Sequence, residues 1–342
     1  MTTAPASTDG LALATRGLRK SYGKRVALDG LDLSVPTGMV YGFLGPNGAG
    51  KTTTMRLLTG LIRPNAGSIE MLGRPFGRSD RRRLFEVGAL IESPAFYPYL
   101  SARQNLRALA ATGAPASKER IEELLDLVGL RDRARDPVSA YSLGMKQRRG
   151  IAAALLSDPK LLLLDEPANG LDPAGIVAMR DTLQFLASTG KTVFVSSHNL
   201  GEVQQMADVV GIIANGRLVR EGPIGELLSS EGVVRVRVAP EEIDRARPIL
   251  ETFASPGSVA PPGESGWLSV KAEPGRASDV NRALAQAGIY ASGIDTGSDL
   301  EALFLELTGG EPADEGRALF FGAAGAGPAG AGTASRGAED KR

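Results

Sequence analysis

Residues 39–52 read MVYGFLGPNGAGKT, and this stretch decides the fold. Met39–Leu44 is a short apolar run of the kind that forms a buried strand. A glycine-rich turn follows, and Lys51–Leu61 has the composition of a helix. A strand, a glycine-rich turn and a helix in this order predict an α/β fold in which the turn forms a loop at the end of the strand.

The turn, Gly45–Thr52, has the chemistry of a phosphate-binding loop. Glycines let backbone N–H groups turn inward and approach phosphate oxygens, and the start of the following helix adds its positive end. We expect Lys51 to reach the β- and γ-phosphates of a nucleotide and the Thr52 hydroxyl to ligate Mg²⁺. A glycine-rich turn before an ordinary helix is the alternative, which the Gly-x₄-Gly-Lys-Thr spacing in this context disfavours.

Two acids, Asp165 and Glu166, directly follow a second apolar run, Leu161–Leu164. Asp165 is predicted to hold Mg²⁺ through the water shell of the metal, because Mg²⁺ keeps several of its waters. Glu166 is predicted to polarise the attacking water as a general base. Two adjacent acids can also begin a solvated loop, but beside a phosphate-binding loop the catalytic interpretation is favoured.

His198 is the one histidine of the chain and follows a third apolar run, Thr192–Ser196. At the same strand end as the nucleotide, its imidazole can bridge the γ-phosphate and the attacking water. Residues 196–199 (SSHN) also resemble a helix cap, so His198 is alternatively a surface residue at a helix start. The two roles are compatible.

The pattern of apolar residues divides the chain into three predicted parts. Residues 1–230 form an α/β domain, in which residues 11–35 alternate as an antiparallel hairpin and a helical subdomain spans about residues 85–158. Apolar strands alternating with helices predict a largely parallel sheet covered on both faces. Residues 231–310 read strand–helix, strand–helix, which predicts a small α+β domain. Residues 311–342, rich in Gly and Ala, are predicted to be a disordered tail.

The composition excludes several classes of protein. Lys plus Arg (39) balance Asp plus Glu (39), which gives no reason to expect nucleic-acid binding. The chain has no cysteine, so disulfides and thiolate metal sites are excluded. The N-terminus lacks the pattern of a secretory signal, and no stretch approaches the roughly 20 apolar residues that span a bilayer. A function at a membrane would therefore need another protein as the anchor.

Five motifs resemble those of the ABC transporter ATPases in their order and spacing, over about residues 10–230. They are the Walker A loop (Gly45–Thr52), the signature (Tyr141–Met145), Walker B with its glutamate (Leu161–Glu166), the D-loop (Asn169–Asp172) and the switch histidine (His198). Tyr22 matches the aromatic position that stacks on adenine. By these motifs the chain is identified as a member of that family.

The resemblance implies an enzyme that binds and hydrolyses ATP, with ATP and Mg²⁺ as cofactors. It gives catalytic roles to Glu166 and His198. It places Thr52, Asp165 and Glu92 at the magnesium ion. The residues that it places at ATP are Tyr22, Gly45, Pro46, Asn47, Gly48, Ala49, Gly50, Lys51, Thr52, Thr53, Ser142, Gly144 and Asp172.

Two positions depart from the family pattern. The signature reads Ser142-Leu143-Gly144-Met145 where the family has Ser-Gly-Gly-Gln. Leu143 restricts the backbone and Met145 lacks a polar contact, so we expect a weakened phosphate contact. Glu92 stands at the position of the Q-loop glutamine. A carboxylate there can still bind Mg²⁺ but adds negative charge near the phosphates, and the alternative for Glu92 is a solvated loop acid.

The resemblance also implies how the molecule works. In the family, the signature of one subunit addresses the γ-phosphate that the Walker A loop of the other subunit holds. Two nucleotides are then sandwiched in a head-to-tail homodimer, which ATP closes and hydrolysis opens. The implied partners are this second copy and a separate membrane-spanning permease, without nucleic acid. The implied location is the cytoplasmic face of the cell membrane, held there by the permease.

The motifs and the ending Leu303–Gly309 are most similar to the stand-alone ATPases of drug- and bacitracin-type exporters. That similarity implies export of a drug, an antibiotic or a lipid-like molecule. Two other classes stay open, a soluble ABC ATPase that acts on a macromolecule and the ATPase of an importer. A single cassette without a long coiled coil disfavours the first, and residues 232–310 look too short for the double regulatory barrel of sugar importers.

The aromatic stretch Phe96–Leu100 (FYPYL) follows Glu92. In the family this region meets cytoplasmic helices of the membrane subunit, and aromatic and leucine side chains suit such a docking surface. Packing in the core is the competing interpretation of the same residues.

Overall fold

The computed structural model describes residues 10–77, 80–92, 96–113, 116–229, 233–253, 259, 267–272, 274–297 and 304. A six-stranded sheet carries the predicted phosphate loop. Its strands, in spatial order, are β10 (Arg217–Pro223), β9 (Val209–Ala214), β3 (Val40–Leu44), β8 (Thr192–Ser197), β7 (Leu161–Asp165) and β6 (Val87–Leu90). The strands from β9 to β6 pair in parallel, and β10 runs antiparallel at one edge.

The central strands β3, β7 and β8 are buried along their whole length, which explains why they are apolar on both faces. Parallel neighbours end at the same edge of a sheet, where ligands bind in open α/β folds. The segments that follow these three strands are the phosphate loop, the acid pair and the segment with His198. The predicted parallel sheet is confirmed, and its topology brings the three motifs to one edge.

A second, antiparallel sheet covers one face of the first. Its strands, in spatial order, are β2 (Arg25–Pro36), β1 (Leu11–Tyr22), β4 (Ala66–Met71) and β5 (Arg74–Pro75). The pairing of β1 with β2 confirms the predicted hairpin. Helix α1 (Lys51–Leu58) packs in the core that the two sheets share. Representative buried residues of this core are Leu13, Leu31, Phe43, Met55 and Phe194.

Helices cover the opposite face of the six-stranded sheet. They are α2 (Ala102–Ala111), α3 (Lys118–Leu127), α4 (Leu143–Ala154), α5 (Pro173–Ser188) and α6 (Leu200–Met206). Each begins after a polar side chain that accepts a hydrogen bond from a backbone N–H of the first turn, as expected for an N-cap. These caps are Ser101, Ser117, Ser142, Asp172 and Asn199. A short helix, α7 (Ile224–Ser229), follows β10.

The residues after position 232 form a smaller α+β unit. An antiparallel sheet has the order β12 (Trp267–Lys271), β11 (Val233–Arg237), β13 (Gly293–Gly297). Helices α8 (Ile243–Glu251) and α9 (Ala277–Gln286) pack on it. The alternating valines of β11 point into this core, because successive side chains of a strand face opposite sides. The α+β class expected for this region is confirmed, while its exact limits stay a prediction.

One helix ends earlier than predicted, and another predicted helix is not described by the structure. Helix α1 ends at Leu58 rather than at Leu61, because Gly60 adopts a positive φ of 68° just after the helix. The predicted final helix lies outside the described residues except for Phe304. That residue is buried in the core between α2–α6 and the six-stranded sheet. The tail predicted for residues 311–342 also lies outside the described residues.

Candidate active site

The phosphate loop connects β3 to α1, and its shape depends on glycine. Its first residue is fixed by a hydrogen bond from Gly45 N–H to the carbonyl of Ser197 (3.2 Å). At its last residue, Gly50, φ is 117°, and a Cβ there would lie 2.7 Å from a side-chain carbon of Leu28. Only glycine fits both this conformation and this close approach. Helix α1 therefore begins directly after the loop, with its first N–H groups at an anion-binding position.

The Lys51 side chain, only 6% exposed, folds back over the loop. Its ammonium donates to the carbonyls of Gly45 (2.6 Å) and Pro46 (3.3 Å). Its nearest anion is Glu166, whose Oε1 lies 3.1 Å away. The three N–H donors of the ammonium thus have three acceptors, and the charge is held at the mouth of the loop.

Asp165 and Glu166 are held in place by one buried serine of the neighbouring strand. Ser196 Oγ donates to Asp165 Oδ1 (2.6 Å) and accepts from the backbone N–H of Glu166 (3.0 Å). Glu166 has a φ of 48°, a left-handed conformation that is uncommon outside glycine. Such backbone strain concentrates at functional sites. This turn aims the Glu166 side chain at Lys51 while Asp165 stays buried at the strand end.

His198 completes the arrangement around the Glu166 carboxylate. Its Nδ1 lies 2.8 Å from Glu166 Oε2. The two carboxylate oxygens therefore contact two different side chains, Lys51 on one side and His198 on the other. With Nδ1 directed to the carboxylate, the second ring nitrogen is left for another partner.

These groups border a cavity of about 650 Å³, a volume in the range of small-molecule sites. Its lining residues are Tyr22, Arg25, Ala27, Asn47, Gly48, Gly50, Lys51, Thr52, Thr53, Glu166, Asn169 and His198. Tyr22 is 45% exposed, with the Lys20 ammonium 5.2 Å from its ring centroid. The cavity thus runs from an exposed aromatic ring along the phosphate loop to the Glu166–His198 pair.

The lining of this cavity does not include the predicted ATP contacts that lie beyond the phosphate loop in the sequence: Ser142, Gly144 and Asp172. Ser142 accepts from the N–H of Met145 at the start of α4, and Asp172 accepts from an N–H at the start of α5. Ser142 is exposed. Within one copy, the start of α4 therefore does not belong to the cavity wall that contains the phosphate loop.

The unusual signature residue Leu143 packs on the D-loop. A Cβ added to Gly170 would collide with Leu143 Cδ2, and one added to Gly144 would lie 3.1 Å from a methyl carbon of Leu171. Gly170 also has a positive φ of 72°. The start of α4 thus rests on the segment between β7 and α5.

Glu92 forms an ion pair with Arg56 of α1, on the protein surface. It has a positive φ of 58° and is absent from the lining of the cavity. In this arrangement Glu92 is a surface acid, and its role at Mg²⁺ stays a prediction. Gly45, Pro46 and Ala49 shape the loop without lining the cavity, and their contacts with ATP also stay predictions.

Comparison with known proteins identifies the family. A family model for ABC transporters matches residues 28–169. The chain is 39% identical over 300 residues to the bacitracin transport ATP-binding protein BcrA of Bacillus licheniformis, covering 87% of this chain and 97% of that protein. The chain belongs to the ATP-binding proteins of ABC transporters.

Other relatives agree with this ABC ATPase assignment. The chain is 38% identical over 304 residues to the daunorubicin resistance ATP-binding protein DrrA3 of Streptomyces coeruleorubidus, covering 87% of this chain and 96% of that protein. Among solved structures, cbiO1 of Clostridium perfringens, part of the ABC transporter complex cbiONQ, superimposes with a TM-score of 0.59 at 26% identity. That match covers 65% of this chain and 92% of cbiO1. The P-loop fold and the class of enzyme, an ATPase, are confirmed.

Three residues that line the cavity of the ABC ATPase were not singled out from the sequence: Arg25, Ala27 and Asn169. Asn169 belongs to the D-loop motif, so its presence at the cavity has a sequence signal. Arg25 and Ala27 lie at the start of β2, where they read only as strand residues. A basic residue three positions after the aromatic Tyr22 was the available clue to Arg25.

Thr52 at the cavity and the buried Asp165 at the end of β7 suit a magnesium ion that arrives with a nucleotide. Mg²⁺ takes few protein oxygens and fills its coordination with waters and phosphates. Thr52 lines the cavity, and the Asp165 carboxylate uses one of its oxygens for Ser196. Across the described ranges no cluster of three or more acidic or imidazole side chains forms a metal cage. The Thr52 hydroxyl and the Asp165 carboxylate are therefore suitable protein ligands for a magnesium ion that is also bound to a nucleotide.

The hydrogen bonds of Ser196 make a first prediction. Ser196→Ala removes both bonds that hold the acid pair, and we expect a loss of about 10- to 100-fold in activity or magnesium affinity, as for other residues that orient metal ligands. The measurement is the ATPase rate as a function of magnesium concentration. Ser196→Thr keeps the hydroxyl, so the magnesium concentration that gives half-maximal activity is expected to return to the wild-type value.

Ser197→Ala is the matched control for Ser196→Ala. Ser197 Oγ accepts from Asn199 N–H and contacts Glu202, but it does not touch the acid pair. An equal loss in the two variants, or an unchanged magnesium dependence in Ser196→Ala, would contradict the positioning role.

Proposed function

We propose that the chain drives export of an antibiotic, drug or lipid-like molecule through a separate membrane-spanning permease. The ATP-dependent closure of two copies supplies the motion. The relatives named for bacitracin and daunorubicin support the export class and the kind of molecule. Within the described residues no helix has both the length and the apolar character to cross a bilayer. On this proposal the permease holds the chain at the cytoplasmic face of the membrane.

The proposed chemistry follows from the contacts of Glu166. An incoming γ-phosphate takes Lys51 as its counter-ion, because the ammonium already lies at the mouth of the loop. Glu166 then loses one of its two partners and can accept a proton from the attacking water. His198 keeps the other carboxylate oxygen oriented and offers its second nitrogen to the γ-phosphate. Thr52 and Asp165 would hold Mg²⁺, whose charge offsets that of the phosphates.

One observation carries the two-copy mechanism. The signature residue Ser142 is exposed at the start of α4 and is absent from the cavity of its own copy. A helix start with its N–H groups at the surface suits an anion. A second copy in a head-to-tail arrangement would present this helix start to the triphosphate held by the first. Two equivalent sites then form in one isologous dimer.

Mixing two inactive variants tests this arrangement. Lys51→Met disables the phosphate loop. Ser142→Asp keeps an N-cap residue but repels phosphate, so α4 stays intact. If each site combines the loop of one copy with the signature of the other, a one-to-one mixture contains some intact sites. The expected ATPase rate is about a quarter of wild type, from random pairing in a symmetric dimer.

The control places both substitutions in one chain and mixes it with wild type. In that mixture, each dimer of one wild-type and one doubly substituted chain lacks an intact site. These dimers are therefore expected to contribute no ATPase activity. Failure of the two single variants to restore hydrolysis, with dimers detected by light scattering, would rule out sites shared between copies.

The permease has its own test. The tagged wild-type chain is purified from detergent-solubilised membranes of its native host, and the bound proteins are identified by mass spectrometry. We expect a protein with several spans of roughly 20 apolar residues each. Recovery of ribosomal or DNA-bound proteins in its place would favour a soluble ABC ATPase.

A further inference from the structure

A buried cation without a counter-ion lies in α4, away from the active site. The side chain of Arg149 is 0% exposed. Its Nε, Nη1 and Nη2 are buried and have no hydrogen-bond partner within the part of the chain that the structure describes. Burial lowers the pKa of the guanidinium to about 9. A buried charge that lacks a partner destabilises a fold, so this arrangement is incomplete in the isolated chain.

Three acids of this part of the chain do not supply the missing charge, because each pairs with another arginine. These ion pairs are Glu122 with Arg103, Asp126 with Arg131, and Asp136 with Arg133. The guanidinium of Arg149 lies against the face of an aromatic ring, that of Phe96. A ring face attracts a cation but offers no hydrogen-bond acceptor in the plane of the guanidinium.

The ring over Arg149 belongs to an exposed surface. We call Phe96, Tyr97 and Tyr99 the aromatic patch. Tyr97 and Tyr99 are 56% and 72% exposed, and their ring centroids lie 5.9 Å apart. Core packing, the competing interpretation of this stretch, does not hold for these two tyrosines. Arginine and tyrosine together are the side chains enriched at the centres of protein interfaces.

The backbone under the aromatic patch is rigid. The side-chain oxygen of the buried Asn105 of α2 accepts from Tyr97 N–H (3.0 Å), and its amide nitrogen, with two hydrogens, lies within hydrogen-bond distance of three carbonyls. These are Tyr97 (3.1 Å), Leu100 (3.2 Å) and Ser101 (3.0 Å). The exposed rings therefore stand on a fixed loop, which lowers the entropic cost of binding to them.

We propose that Arg149 is the receptor for a carboxylate of the permease, carried by a cytoplasmic helix that docks on the aromatic patch. This inference rests on the proposed function. The occupant is anionic because the buried charge is positive and unpaired. It is a carboxylate because a guanidinium binds that group with two parallel hydrogen bonds. The carboxylate approaches in the plane of the guanidinium, and because Arg149 is 0% exposed, the Phe96 ring over its face shifts to admit it.

Arg149→Met tests the proposal, because it keeps an unbranched apolar stem in the core and removes the charged guanidinium. In the purified full-length chain, we expect the melting temperature to rise by roughly 2–4 °C, since an unpaired buried charge is lost. In membranes, we expect recovery of the permease to fall at least about tenfold. Arg149→Lys keeps the charge and is expected to retain more permease than the Met variant. Arg107→Met, at an exposed position of α2, is the control and should change neither result.

The partner is confirmed by exchanging the charges. Arg149→Glu should abolish recovery of the permease, and Lys at a single acidic position of its cytoplasmic helices should restore it. The proposal would be overturned if the Met variant is stabilised and still recovers the permease fully. It would also be overturned if the Met and Lys variants lose recovery of the permease equally. A destabilised Met variant would also overturn it, since Arg149 would then have a partner within the chain.

Two further outcomes separate this inference from the proposed function. If the wild-type chain recovers no permease at all, the proposed function and the inference both fall. If the purified wild-type chain binds phosphatidylglycerol vesicles and the Met variant does not, Arg149 receives a lipid phosphate, and the carboxylate proposal is overturned.

Discussion

Glu166→Gln is expected to lower the ATPase rate by about 10²- to 10⁴-fold, the range that a positioned general base contributes. ATP binding is expected to be as strong as in wild type or stronger. The Glu166 carboxylate, 3.1 Å from the Lys51 ammonium, competes with the γ-phosphate for that charge, and a neutral amide competes less. ATP that binds without being hydrolysed should keep two copies closed, so the variant is expected to elute as a dimer in the presence of ATP and magnesium.

Phosphate release at saturating ATP and light scattering on the eluted protein measure the two effects. The chain offers a matched control in Glu86, which pairs with Lys160 at the surface (3.2 Å) and does not line the cavity. Glu86→Gln should behave as wild type in both assays. Wild-type turnover in Glu166→Gln would remove this residue from the role of base.

Lys51→Met is expected to weaken ATP binding by about 10- to 100-fold, the value of a lost hydrogen bond to a charged group. The buried ammonium is the charged group closest to the loop, and its removal leaves Glu166 facing the phosphates without compensation. Equilibrium titration with a fluorescent ATP analogue measures the affinity.

Lys160→Met is the control for Lys51→Met, since Lys160 is the surface partner of Glu86. It should bind ATP normally. If Lys51→Met also binds with wild-type affinity, while its melting temperature is unchanged, the loop holds the nucleotide through its backbone alone.

The sequence alone was enough to predict those parts of the site that are formed by residues next to each other in the chain. The strand, loop and helix around Gly45–Lys51 and the acids after β7 needed only neighbouring residues, so both were predictable. The end of α1 was not, because the apolar pattern continues to Leu61 while Gly60 turns the backbone away.

Contacts between distant segments could not be predicted. Ser196 reads as one more residue of a buried strand, yet it holds both acids of β7. The pairing of Lys51 with Glu166 depends on the parallel order of β3, β8 and β7, which no local pattern fixes. Arg149 is similar, because a basic residue in an amphipathic helix predicts an exposed side chain, and only the packing against Phe96 reveals that it is buried.

The contact of Leu143 with Gly170 links the substitutions that evolution can accept at these two positions. The leucine occupies the space that a methyl group at position 170 would need, and the positive φ there excludes most other residues as well. A descendant with glycine at 143 loses this contact with the D-loop, and one with alanine at 170 must turn the half-exposed end of Leu143 away and strain the backbone at a positive φ. Either change alone alters the contact between the start of α4 and the segment that follows β7. A replacement of Gly170 is therefore expected to be tolerated more readily where residue 143 is smaller than leucine.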